Sequence, residues 1–208
     1  MIPKIIHQIW IGDKAIPDRE FTWAAQMNEM NRSSWLHRYH GNELLERYGQ
    51  DPFIKYMVAK KERIAFITDR LRVLLLQEEG GIYVDVDSQP IRPFDSIDVW
   101  NRYDFVAGLR SPFRKDVALH RAVPIVDNTF MASFPNGRMI GIIAALWTPA
   151  QITSENHAIN GHRTGLAIIE NCDYTTCLLN HRYIYCEQKY PETLILHDAH
   201  NLGSWSKR

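Results

Sequence analysis

The stretch Gly80-Gly81-Ile82-Tyr83-Val84-Asp85-Val86-Asp87 constrains this chain more than any other. Its two glycines follow a long apolar helical pattern, the signature of a helix stop followed by a strand start. Ile82, Val84 and Val86 then alternate with Tyr83, Asp85 and Asp87. In an extended strand residues i and i+2 share a face, which predicts Tyr83 and both carboxylates on one side and the aliphatic residues against a core. Two carboxylates held ~7 Å apart on a strand repel each other, and burying either one alone is costly. A hard divalent cation relieves that repulsion, and oxygen ligands are what Mg²⁺ or Mn²⁺ takes. A bare Asp-x-Asp is more often a solvated strand end, so the surrounding chain has to decide.

Composition narrows the classes. The 208 residues suffice for one α/β domain with a well-filled core. Lys and Arg number 24, as do Asp and Glu, and the basic residues are scattered, which argues against nucleic acid as a partner and against an acidic membrane surface. Cys172, Cys177 and Cys186 are odd in number and lack metal-type C-x-x-C spacing, favouring a reducing compartment. The start, Met1 to His7, is too short and interrupted for a signal peptide, and no run approaches the ~20 apolar residues of a membrane span. The expectation is a cytoplasmic domain with no membrane span.

Taken in order, Lys4 to Ile11 reads as a first strand rich in isoleucine and closed by Gly12-Asp13. Trp10 sits at its C-terminal end, where open α/β sheets place ligands; it suits either core packing or stacking on a nucleotide base. Pro17 to Met30 predicts a helix, Trp35 to Tyr39 a strand, and Gly41–Tyr48 and Asp51–Ala59 short helices. From Lys61, the residues Ile64, Ile67, Leu71, Leu74 and Leu75 recur at helical spacing. Asp69 and Arg72, three apart, share a face of that helix as a surface ion pair or as sugar-hydroxyl contacts. Phe105–Ala107 and Val123–Phe134 read as strands, the latter carrying Asp127 and Asn128, with Ser111–Arg121 between them as a loop. Met139–Trp147 predicts a short helix, Ser154–Gly165 a functional loop, and Tyr183–Cys186 and Thr193–His197 two late strands.

Alternating strands and helices give an α/β class with a mostly parallel central sheet flanked by helices, as one domain over residues 1–208. No G-x-G-x-x-G, G-x-x-x-x-G-K-[ST] or G-x-S-x-G occurs, which argues against a dinucleotide oxidoreductase, a P-loop NTPase and a nucleophile-elbow hydrolase. His197-Asp198-Ala199-His200 near the end of the chain adds imidazoles to the metal-binding possibilities. An ion held by Asp-x-Asp and a distant His would grip a diphosphate and stabilise its charge as it leaves. That chemistry is glycosyl transfer from a nucleotide sugar, or nucleotidyl transfer.

Ile2 through Gly12, Ala65 through Asp69 to Arg72, Gly80 through Asp87 and the closing His200-x-x-Gly203-Ser204-Trp205 together resemble the DXD-motif sugar-binding glycosyltransferases. That family includes Golgi mannosyltransferases and the glucosyltransferase domains of large bacterial toxins. The resemblance implies a GT-A-type nucleotide-sugar-binding domain, a UDP-sugar donor, Mn²⁺ or Mg²⁺, a glycan or glycoprotein acceptor, and retention at the anomeric carbon. It further implies that Trp10 stacks on the base, with backbone near Gln8 and Ile11 reading its edge and Tyr83 near base and ribose. Asp69, Arg72 and Asn128 would contact the sugar, Asp85 the ribose and sugar hydroxyls. Asp87 and His200 would ligate the metal, with Asp85 touching it through water and Trp205 reaching a phosphate. Thr164-Gly165-Leu166 stands where such enzymes often carry Thr-Gly-Pro. The rival readings are a sugar nucleotidyltransferase and a non-catalytic UDP-sugar-binding module. The chain ending so close to the last motif suggests a minimal domain or the catalytic part of a longer protein.

Overall fold

A computed structural model describes residues 1–61, 64–116, 121–147, 157–184 and 190–197. The elements run β1 (Ile5–Ile9), α1 (Asp18–Asn31), β2 (Leu36–His40), α2 (Glu43–Tyr48), α3 (Pro52–Ala59), α4 (Ile64–Glu78), β3 (Gly81–Val84) and β4 (Ser88–Pro90). After a single 3₁₀ turn at Phe94–Ser96 come β5 (Phe105–Asp116), β6 (Arg121–Ser133), α5 (Arg138–Leu146), α6 (His157–Asn171), β7 (Thr176–Leu179), α7 (His181–Ile184) and β8 (Ile195–His197). Six strands form one sheet in the order β2-β1-β3-β6-β5-β7, and β4 pairs with β8 in a second. The β1–β2, β1–β3 and β5–β7 pairings are parallel, and only β6 runs against the rest of the large sheet. The mostly parallel α/β architecture read from the sequence therefore holds.

The sheet separates two apolar layers. On one face Ile9, Tyr83, Ala107 and Met131 pack under Phe53, Leu71, Leu75 and Ile143 of the helices α3, α4 and α5. On the other, Ile6, Ile82, Val84 and Phe130 meet Met27 of α1, Trp35, Phe94, Trp100 and Ile195. Both faces of β3 are covered, as a strand in the middle of an α/β sheet requires. The helix-to-strand joint before it depends on glycine. Gly80 has φ +67° and Gly81 φ +95°, and a Cβ on Gly81 would lie 2.6 Å from the Ile5 carbonyl oxygen. Side-chain-bearing residues avoid that backbone region.

Several expectations change. The strand ends at Val84, so Asp85 and Asp87 do not stand two apart on one pleated strand. Val86 and Asp87 lie in a turn that the Ser88 N–H closes onto the Asp85 carbonyl at 3.2 Å. Tyr83 and Asp85 still share a side, but Tyr83 is buried rather than lining a solvated face. Ser111–Arg121 is not a loop up to Asp116: β5 continues to that residue and pairs back with β6 down to Asp116↔Arg121. Of the expected Ser154–Gly165 loop, the part from His157 is helix α6; Leu166, lacking proline's ring, lets it run on to Asn171. Tyr183 and Ile184 belong to α7, not to a strand, and Cys186 lies outside the described residues. Among the described residues no helix is long and apolar enough to cross a membrane.

Candidate active site

The parallel pairing of β1 with β3 brings Trp10 and Asp85 to the same edge of the sheet, just past the C-terminal ends of the two strands. Helix α4 reaches that edge by simple geometry. Eight helical residues back from Gly80 rise ~12 Å and four strand residues forward from Gly81 advance ~13 Å, so Arg72 returns level with Asp85. Antiparallel β6 places Phe130 opposite Val84, and the Asp85 N–H then donates to the Thr129 carbonyl at 3.0 Å, with Asn128 next along the strand.

Five of the expected residues meet there. The Arg72 guanidinium lies 2.8 Å from Asp69 Oδ1 and 3.2 Å from Asp85 Oδ1, and it donates to the Asn128 carbonyl at 2.7 Å. Asn128 Nδ2 donates to Asp69 Oδ1 at 2.8 Å. The Tyr83 hydroxyl donates to Asp85 Oδ1 at 2.6 Å, and the guanidinium sits over the Tyr83 ring, 4.4 Å from its centre. Burial pushes the Tyr83 phenol well above its usual range, which keeps it a hydroxyl donor rather than a phenolate. Arg72 is only 5% exposed, so its charge is matched by Asp69 and Asp85 instead of by water. The helix pair Asp69/Arg72 is thus no surface ion pair.

Asp87 is carried in the turn, its Oδ1 enclosed by protein. Trp10 is half-buried, outside both apolar layers, with its indole N–H donating to the Lys14 carbonyl at 2.8 Å. Ile11 is buried in the helix-side layer. Gln8 is fully buried and points into the protein: its amide nitrogen is 3.4 Å from the Asp85 carbonyl oxygen and its oxygen 2.9 Å from His37 Nε2. His200 and Trp205 lie outside the described residues, as does the side chain of His197; the His197 backbone pairs opposite Ser88, one residue beyond Asp87. Among the described residues no three His, Cys, Asp or Glu side chains form a group able to hold a metal.

Sequence reasoning missed the histidines behind the site. His7 Nδ1 lies 3.0 Å from His40 Nε2 with the rings stacked, and His7 Nε2 lies 3.0 Å from the Gly80 carbonyl oxygen. The Gly80 carbonyl can only accept, so His7 carries its proton on Nε2 and receives one from His40. Burial, then the neighbouring His40, lowers the pKa of His7 and of His37 to about 4 each, so all these rings are neutral at pH 7. The signal was in the chain: His37 and His40, three apart on a strand, must serve opposite faces.

The fold is of the GT-A glycosyltransferase type. Residues 16–105 match the family model described as a glycosyltransferase sugar-binding region containing a DXD motif. A toxin of Photorhabdus asymbiotica subsp. asymbiotica is 26% identical over 65% of this chain, a match spanning 6% of that protein's length. Among solved structures, the PaToxG glycosyltransferase superposes with a TM-score of 0.62 at 19% identity, covering 82% of this chain and 70% of that one. A glycosyltransferase involved in glycosylating the major capsid of PBCV-1 gives 0.54 at 12%, covering 95% and 94%. The galactosyltransferase LgtC, in complex with donor and acceptor sugar analogues, gives 0.50 at 11%, covering 94% and 87%.

Proposed function

We propose that residues 1–208 form the catalytic domain of a metal-dependent glycosyltransferase that moves a hexose-type sugar from a UDP-sugar to a glycan or glycoprotein acceptor with retention. The observation that carries this reading is the convergence of Asp69, Arg72, Tyr83, Asp85 and Asn128 from a helix and two strands at the C-terminal edge of the sheet. Such an edge is where α/β sheets receive nucleotides, and the match to a sugar-binding DXD region supports the sugar. The half-exposed Trp10 offers the base a stacking face. Asp69 and Asn128 would accept and donate to sugar hydroxyls, with Arg72 holding Asp69 and Asp85 in fixed orientation.

The donor set fits a hard divalent ion: two carboxylates, Asp85 and Asp87, on one tight turn. They would hold Mn²⁺ or Mg²⁺ with His200, three residues after His197, whose backbone pairs with Ser88. When bound, the ion neutralises the diphosphate that departs. Free thiols at Cys172 and Cys177 suit residence in the cytoplasm.

Incubation with a panel of radiolabelled nucleotide sugars and Mn²⁺ tests the proposal. UDP released from one UDP-sugar, suppressed by excess chelator, is the expected result. Pyrophosphate released from an NTP plus sugar phosphate, or tight UDP-sugar binding without product, would overturn it.

A further inference from the structure

Two consecutive residues of β1 hold the two ends of β3 from opposite faces of the sheet. His7 Nε2–H donates to the Gly80 carbonyl, before the strand, and Gln8 Nε2 reaches the Asp85 carbonyl, just after it. Each is backed by a histidine of β2: His40 behind His7 at 3.0 Å, His37 behind Gln8 at 2.9 Å. The second arm has one consistent proton arrangement. The Asp85 carbonyl only accepts, so the Gln8 amide NH₂ faces it; Gln8 Oε1 is then the acceptor and His37 donates from Nε2. The carbonyl it grips also closes the turn through the Ser88 N–H at 3.2 Å, and the Asp85 N–H is tied to Thr129 at 3.0 Å.

We propose that His37 and Gln8 are positioning residues for the Asp85–Asp87 turn, fixing the backbone from which both carboxylates project. This rests on reading that turn as the donor site, and neither residue needs to touch the donor. The 3.4 Å arm is long for a hydrogen bond and depends on the shorter one behind it to aim the amide. Small displacements of reacting groups are costly: misplacement by ~1 Å can lower a rate on the order of a hundredfold.

The test compares His37→Leu, His37→Gln and Gln8→Met with the parent chain. Glutamine at 37 restores an N–H donor near the position of Nε2, and methionine at 8 keeps the volume while removing both polar atoms. Amide hydrogen exchange over residues 85–88 and calorimetric affinity for Mn²⁺ with UDP are read for each folded variant. In His37→Leu and Gln8→Met, exchange at 85–88 rises roughly tenfold or more while that of α1 and α5 is unchanged. Affinity for Mn²⁺ with UDP falls about tenfold, and His37→Gln recovers most of both. A merely structural hydrogen bond would lower the melting temperature without this local and reversible pattern. Exchange and affinity unchanged in both disruptive variants overturn the proposal. Loosened exchange in the two disruptive variants of a parent chain that itself binds neither Mn²⁺ nor UDP supports the clamp and overturns the functional reading instead.

Discussion

Tyr83 shows how a single buried hydroxyl can serve a carboxylate at the surface of a site. Its ring belongs to the helix-side core and only its oxygen reaches Asp85, at 2.6 Å. Tyr83→Phe keeps the packing and removes one hydrogen bond to a charged acceptor, a loss of about 1.5–3 kcal/mol in such cases. The expected outcome is a lower kcat/KM for the donor with an unchanged fold by circular dichroism; parental kinetics would show Asp85 to be held by Arg72 alone. Trp10 lies outside both cores, so Trp10→Ala should spare stability and weaken UDP binding by roughly 1–3 kcal/mol. Calorimetry with UDP against a free sugar phosphate checks this, since only the nucleotide carries a base. Asp87→Asn removes a charged ligand and should abolish Mn²⁺-dependent turnover, raising the barrier by on the order of 3 kcal/mol. Full activity of that variant, or of the parent chain in excess chelator, argues against a metal role for the turn.

At the scale of elements, the helix α4 and the strand β3 act as one unit hinged on Gly80 and Gly81. The lengths match, which is why Arg72 and Asp85 meet at 3.2 Å although thirteen positions apart in the chain. Gly81→Ala would place a methyl group 2.6 Å from the Ile5 carbonyl oxygen, a backbone atom of β1 that cannot swing away. The φ of +95° adds strain, and the combined cost should be about 3 kcal/mol. Urea unfolding of Gly81→Ala measures it directly. A midpoint equal to the parent's would mean that the joint relaxes freely, and with it the placement of the Asp85 turn.

The whole molecule carries its buried imidazoles across β1 and β2, and this sets its acid stability. The pKa of His7 and of His37 is lowered from 6.5 to about 4, first by burial and then by His40. Burial also lowers that of His40, against the pull of Glu79 and Glu43. Folded values below the unfolded value mean that the unfolded chain binds more protons, so stability is full above pH 6.5 and falls as pH drops toward 4. His7 by itself should cost on the order of 2 kcal/mol between pH 7 and 5. The carboxylates of Glu78 and Glu79, whose pKa values are lowered from 4.5, add their losses only further down. Urea midpoints at pH 7.5, 6 and 5 test the order; a flat profile above pH 5 contradicts it. Local chemistry was legible in the chain: the glycine joint, the alternation through Val84, the Asp69/Arg72 helix face and the Asp-x-Asp all follow from residue type and period. Those signals are short-ranged, and so was their reach. The alternation does not end β3 at Val84, since Asp85 to Asp87 continues it; there the Ser88 N–H closes a turn onto the Asp85 carbonyl, which the Gln8 amide of β1 also approaches at 3.4 Å. Polar Ser111–Asp116 becomes strand only because β6 pairs with it, and Tyr183 turns helical where its propensity favours a strand. The site itself was split the same way. The chain named its carboxylates, whereas the sheet order, by laying β1 beside β3 and β6 against it, decided which groups would meet them.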